Sequence, residues 1–190
     1  MEFDIVVASH QHSRFVPLLC QSYQESAKAR GTGIALRKPE YLLKKIEQGM
    51  AVIALHQDQL AGFCYIESWS HESYVANSGL IVLEAYRKHG LAKAIKRHTF
   101  QLARNTFPKA RVFGITTSLA VMKINSELGY RPVTFSELTQ DESFWNGCQS
   151  CPNYEILQAN QRKLCLCTGM LAPSKIEEEI SKLKKNQTHV

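Results

Sequence analysis

At 190 residues, 44% of them hydrophobic, the chain has material for one core and little for a second domain. Lys and Arg number 23 against 17 Asp and Glu, a net charge of +6, but the cations are spread along the chain with no RNA-binding or helix-turn-helix pattern, so a solvated basic surface is expected and nucleic acid is not an expected partner. The opening MEFDIVV lacks the cationic and apolar regions of a signal peptide and no apolar run nears the ~18 residues of a membrane span, which predicts a cytoplasmic chain with no membrane partner and reduced or metal-bound cysteines.

In chain order, FDIVVAS reads as a strand. From His12 to Arg30 the apolar residues Phe15, Leu18, Leu19, Tyr23 and Ala27 recur at helical spacing. RGTGIALRKP is a loop, and EYLLKKIEQG a short helix stopped by Gly49. MAVIALH and LAGFCYIES, separated by the polar QDQ, predict a hairpin, with YVANSGLIVL pairing next across a loop near His71. Leu91, Ile95, Phe100, Leu102, Ala103 and Phe107 mark a helix ending near Pro108, followed by the strand ARVFGITT. SLAVMKINSELGY is a helix with Ser118 as its cap and Gly129 near its end, and RPVTFSEL a strand. Residues 141–162 read as loop or short irregular helix, KLCLCTGML as a last strand, and SKIEEEISKLKKNQTHV as a charged helical or frayed tail. The pattern predicts an α/β mixed sheet with helices packed against it: a single domain over 1–172, whose subregion 141–172 carries cysteines, and a tail over 173–190.

EAYRKHGLAKAI, residues 84–95, joins a strand to a helix through a turn in which backbone N–H groups and the positive helix end converge. Such a point suits an anion. Gly90 lets a phosphate approach without a Cβ in the way, Ala92 keeps the next turn thin, and Arg87 and Lys88 add charge. Taken alone, a short glycine motif fits an ordinary strand-to-helix turn equally well. Further on, NGCQSCPN and KLCLCTG place Cys148, Cys151, Cys165 and Cys167 as C-x2-C-x13-C-x-C, a spacing that fits one structural zinc held by four thiolates. On a strand Cys165 and Cys167 would share a face, and a C-x2-C turn folds over it. The competing reading makes these cysteines small core residues, with Leu164, Leu166 and Met170 buried on both faces.

With Arg87, Gly90 and Ala92 at the offsets Arg-x-x-Gly-x-Ala, and with LGY of INSELGYRPV closing a helix before a strand, the chain resembles the GNAT family of N-acetyltransferases over residues 3–138. The resemblance implies the acyl-CoA N-acyltransferase fold. It also implies acetyl-CoA as cosubstrate, its pyrophosphate on the amides of Lys88, His89, Gly90, Leu91 and Ala92 and its pantetheine arm beside Leu80, Ile81 and Val82, with Ser118 and Asn125 on the cofactor side. Acetyl would pass to an amine by direct attack, which requires a base and an acid. Glu67, Glu72 and Glu84 are the nearby carboxylates. Many members of the family place a tyrosine where this chain has Asn125, an amide that cannot deliver a proton, so either another group such as Tyr130 or Tyr74 serves as the acid or the thiolate leaves unaided into a polar site. Arg30, Arg37 and Lys38 surround the glycine loop and suit a carboxylate on the acceptor. That segment and the cysteine-bearing end are similar to short amino-acid acetyltransferases resembling N-acetylglutamate synthase, which implies a small-molecule amine such as glutamate. A non-catalytic acyl-CoA sensor, or a zinc-stabilised partner-binding module, is the alternative that Asn125 leaves open, and a homodimer is among the oligomeric states open to it.

Overall fold

A computed structural model describes residues 1–30 and 37–187. The glycine loop between them, 31–36, and the side chain of Arg30 lie outside the described residues, so the expectation for Arg30 does too. The elements are β1 Asp4–Val7, α1 Val16–Arg30, α2 Pro39–Glu47, β2 Ala51–His56, β3 Gln59–Trp69, β4 Tyr74–Val82, α3 Leu91–Thr106, β5 Arg111–Thr116, α4 Leu119–Glu127, β6 Arg131–Val133, α5 Glu142–Asn146, α6 Tyr154–Ala159, β7 Thr168–Ala172 and α7 Lys175–Gln187. Among the described residues they form one seven-stranded sheet in the order β1-β2-β3-β4-β5-β7-β6.

Local chemistry sets the boundaries. The β2–β3 hairpin turns on Gln57 and Asp58, both left-handed at φ 48° and 62°, the turn whose twist matches the flanking strands. Gly49, at φ 65°, ends α2, and Gly90, at φ 75°, starts α3. The buried stripe of α3 is Leu91, Ile95, Lys96, Thr99, Phe100 and Ala103, which recurs at helical period and lays the helix on the sheet. Helices α1 and α2 cover β2 and β3 through Leu19, Leu42, Ile46 and Phe63. A separate cluster gathers Phe113, Phe135, Trp145, Leu157 and Leu171 around α5 and α6. The indole of Trp145 anchors it by donating to the carbonyl of Thr139 at 2.9 Å.

Two features of the sheet make room for a ligand. Strand β4 pairs with its parallel neighbour β5 only at Tyr74, Val75 and Ala76 against Arg111, Val112 and Phe113. From Asn77 and Gly114 onward the strands diverge, which leaves a fork in the middle of the sheet. In the pairing of β3 with β4, Phe63 opposes Ile81 while Tyr65 opposes Ser78. Two residues of β4, Gly79 and Leu80, therefore stand against Cys64 alone, a bulge beside the fork.

Two strands are shorter than the sequence predicts. RPVTFSEL is a strand only at Arg131–Val133 and then turns as a short 3-10 helix over Phe135–Glu137. KLCLCTGML begins pairing only at Thr168, because β5 ends at Thr116, the partner of Thr168, and nothing further along β5 is left to pair. Cys165 and Cys167 therefore do not lie on the strand, and Leu164 and Leu166, read as buried, are 61% and 60% exposed. Met170 alone of that trio is buried. At the C-terminal end α7 is tied back to the domain, with Glu177 receiving two donors from Arg111, at 2.6 and 3.0 Å, and Glu178 paired with Arg104.

Candidate active site

A cleft of about 790 Å³ runs from the start of α3, along the fork, to α5 and α6. At one end the turn before α3 supplies Arg87, Lys88, Gly90, Leu91 and Ala92 to its lining. Lys88 at φ 66° and Gly90 at φ 75° both turn the backbone left-handed, and nothing lies within 4 Å of where a Gly90 Cβ would stand. An open helix N-terminus ringed by cations fits a pyrophosphate. His89 lies in the same turn but outside the lining; its Nδ1 sits 3.1 Å from the Arg87 carbonyl and its ring faces Phe3.

Along the fork, Leu80, Ile81 and Val82 line one side, with Gly114, Ile115 and Thr116 of β5 on the other. Ser118 also lines the cleft and caps α4, its Oγ accepting from the Val121 amide at 3.4 Å. The backbone groups that the diverging strands leave unpaired are available to the amides of an extended pantetheine arm.

Beyond the fork the walls are held by a polar network. Glu67 accepts from the Tyr41 hydroxyl at 2.6 Å and pairs with Lys45, whose side chain is 9% exposed. Arg37 donates through Nε to the Tyr65 hydroxyl at 2.6 Å, which fixes the guanidinium plane against the cleft. Burial pushes Tyr23, Tyr41 and Tyr65 above the ordinary phenol range, so these three act as neutral donors and acceptors. Glu67 is the sole carboxylate among the described lining residues, against the cations Arg37, Lys38, Arg87, Lys88, Lys93 and Lys96. Cations thus outnumber the single carboxylate along the described lining and give the cleft a positive field.

The remaining expected residues lie elsewhere. Glu72 lines a second, smaller cleft with Lys109 and Arg111 and does not reach this one. Glu84 lies in the short 3-10 turn after β4 and also stays outside the lining. Tyr74, at the start of β4, lines the second cleft and stacks edge-on to Phe113. Tyr130 is buried beneath the fork against Phe100, outside the lining, with its hydroxyl unpartnered and its ionisation pushed up by burial. Asn125 is buried beside it, its Nδ2 3.6 Å from the Met170 sulfur and its Oδ1 unpartnered.

All four late cysteines line the far end of the cleft. They are near enough to act on one another: burial first, and then the neighbouring thiols, push Cys148 up to about 11 and Cys167 up to about 12. The expected zinc site is not formed. Among the described residues no group of three or more His, Cys, Asp or Glu side chains is placed to hold a metal ion, and with Cys165 and Cys167 off the strand the shared face on which that reading depended is lost.

Sequence reasoning passed over Lys96. It stands on the buried stripe of α3 at 2% exposure and still lines the cleft. The signal was present: a lysine in the register of an apolar stripe, directly after Ile95.

The turn and the fork together make a cleft whose shape and cationic lining suit an acyl-CoA. Residues 17–121 match the model of the Acetyltransferase (GNAT) family. No curated protein matches the sequence. Among solved structures the fold is similar to N-acetylglutamate synthase from Neisseria gonorrhoeae complexed with coenzyme A and N-acetyl-glutamate, at 17% identity and a TM-score of 0.64 over 92% of this chain and 35% of that one. This chain thus spans about a third of the synthase's length. It is also similar to Rv2747 from Mycobacterium tuberculosis in complex with CoA and NLQ, at 18% identity and a TM-score of 0.62 over 90% of this chain and 98% of that one. A GNAT-family acetyltransferase from Staphylococcus aureus aligns at 11% identity and a TM-score of 0.60 over 90% of this chain and 99% of that one. With the family model covering more than half of its length, on top of the phosphate turn and the forked sheet, the chain belongs to the acetyltransferase (GNAT) family.

Proposed function

We propose that this GNAT-family chain moves the acetyl group of acetyl-CoA to the amine of a small amino acid, with glutamate the first candidate acceptor. The observation that carries the acceptor class is Arg37, held by Tyr65 in the wall of the cleft on the side away from the phosphate turn. A guanidinium in that position matches a carboxylate by paired hydrogen bonds. Two of the similar structures support the reading, since they hold CoA together with N-acetyl-glutamate and with NLQ.

In this reading Leu80, Ile81 and Val82 receive the pantetheine arm as a neighbouring strand would, and the amides at the start of α3 take the pyrophosphate. Backbone donors at the fork polarise the thioester carbonyl and stabilise the oxyanion of the tetrahedral intermediate. Glu67, the sole described carboxylate of the lining, accepts the proton of the incoming ammonium directly or through a water, and Lys45 and Tyr41 hold it in place.

Thiol release from acetyl-CoA tests the reading across glutamate, ornithine, lysine and amines without a carboxylate. Arg37→Ala should raise KM about 10- to 100-fold for the carboxylate-bearing acceptors, leaving CoA affinity unchanged. Activity confined to protein tails or aminoglycosides would overturn it.

A further inference from the structure

Lys96 is buried without the partners that a buried ammonium normally has. Among the described residues its Nζ has no hydrogen-bonded or ion-paired partner, and its closest aromatic is the Tyr130 ring, 5.8 Å from Nζ to the centroid. The titratable groups facing it are Cys64 from β3 and Tyr130 from the turn before β6, both neutral at physiological pH because burial raises them. Desolvating an unpaired ammonium costs stability, and a leucine or methionine would fill the same stripe without that cost.

Its surroundings point to the fork. Cys64 stands opposite the β4 bulge and donates to Asn77 Oδ1 at 3.1 Å and to the Ser78 carbonyl at 3.2 Å. Asn77 is the first residue past the last β4–β5 pair, where the strands diverge. Lys96 thus reaches the cleft at the level of the fork, where the thioester would lie on the acetyl-transfer reading. Three further buried polar atoms there, Asn77 Nδ2, Asn125 Oδ1 and Tyr130 Oη, have no partner at full hydrogen-bond geometry, although Asn77 lies close enough to Tyr130 to act on its ionisation.

Resting on that reading, we infer that Lys96 is the proton donor to the departing sulfur of CoA. The amine nitrogen forms its bond to the carbonyl carbon, and the intermediate collapses with cleavage of the C–S bond. The sulfur leaves with the electron pair and takes a proton from Nζ, giving CoA thiol and a neutral lysine amine. In becoming an amide the acceptor ammonium gives up two protons, one to Glu67 before attack and one from the tetrahedral intermediate, and the second restores the lysine by way of cleft water. Burial lowers the lysine from its ordinary range, which makes Nζ a readier proton donor than a solvated lysine. The role falls to α3 because Asn125 and the sequestered Tyr130 leave α4 and the turn after it without a usable acid in the cleft.

The test starts from the binary complex, before any acceptor is chosen. Ultraviolet titration of bound CoA, with desulfo-CoA as the blank, reads the ionisation of its thiol. In the wild type it should titrate about one to three units lower than in Lys96→Met, because only the wild type sets an ammonium beside the sulfur. Identical titrations would overturn the inference. So would a Lys96→Met chain that no longer melts cooperatively or binds CoA, since Lys96 would then be a structural lysine; the unpaired burial predicts a melting temperature no lower than the wild type's.

Turnover with the accepted amine completes the test. Lys96→Met should lose about 10²- to 10⁴-fold in kcat with acetyl-CoA and recover much of it with acetyl-seleno-CoA, whose more acidic selenol departs without a proton. Lys96→Arg keeps the charge but cannot give up its proton, so it should lower the thiol's ionisation in the binary complex yet stay slow with acetyl-CoA. Wild-type kcat in either variant would overturn the donor role while leaving the acetyl-transfer reading intact. No turnover by the wild type with any amine would overturn both.

Discussion

A Cβ on Gly79 would stand 2.9 Å from the hydroxyl oxygen of Tyr23, the same hydroxyl that donates its hydrogen to the Gly79 carbonyl. Gly79 also has φ +67°, and Tyr65 Cδ1 would lie 2.8 Å from that Cβ. The bulge that opens the cleft is thus clamped between two buried tyrosines. Gly79→Ala should cost about 2–4 kcal/mol of stability, from left-handed strain together with overpacking, and should weaken CoA binding as well. Chemical denaturation and CoA titration check both; a chain of unchanged stability would show that the bulge relaxes freely.

Gly90 is the contrasting case, because open space surrounds the position of its Cβ. Gly90→Val should cost only about 1–2 kcal/mol of backbone strain but lower CoA affinity about 10- to 100-fold, since the side chain would occupy the place of the pyrophosphate. Calorimetry with CoA, compared with dephosphorylated pantetheine, which lacks the pyrophosphate, checks the assignment. The loss should appear with CoA and not with pantetheine.

The two carboxylates singled out by the sequence lie in different clefts, and that separation makes a paired test. Glu67→Gln should reduce kcat at neutral pH about 10²- to 10⁴-fold with CoA affinity retained, and should cost about 1–3 kcal/mol of stability by leaving Lys45 without its counter-ion. Glu72→Gln, in the second cleft, should behave as wild type. Acetyl transfer measured as a function of pH for both variants gives the answer, and equal activity in the two would remove Glu67 from the chemistry.

The raised thiols give the stability curve an alkaline limb. Cys148 and Cys167 ionise at about 11 and about 12 in the fold against about 8.5 in an unfolded chain. Their folded values lie above the unfolded one, so their contribution is fully present below about pH 8.5 and is lost as pH rises towards 11–12. Melting temperature should fall through that window, less steeply in a Cys148→Ala, Cys167→Ala double variant, and alkylation at pH 7 should be slower than for free cysteine. Equal slopes in the two proteins would contradict the burial of these thiols.

The phosphate turn was legible because its demands are local. A left-handed glycine, a small residue two positions on and an arginine three before can be read from offsets along one stretch of chain. The α3 stripe, the β2–β3 hairpin and the Ser118 cap were readable for the same reason. Cys165 and Cys167 were not, since an alternating KLCLC imitates a strand whatever its neighbours; only the end of β5 at Thr116 decides where β7 can begin. Lys96 was hidden differently. Its spacing marks it as buried, but its value to a site depends on Cys64 of β3, Asn77 of β4 and Tyr130 of the turn before β6.

The ladder between β4 and β5 has only three residue pairs, so the sheet should open first along this seam, with β1–β4, α1 and α2 as one block and β5–β7 with the C-terminal helices as the other. Helix α3 spans both. Hydrogen-exchange protection should therefore be high within each block and low for those amides of 77–80 and 114–116 that point into the seam instead of toward β3 or β7. An extended ligand in the fork would act as a missing rung between the blocks. Its binding should slow exchange on both sides of the seam at once and merge two unfolding units into one.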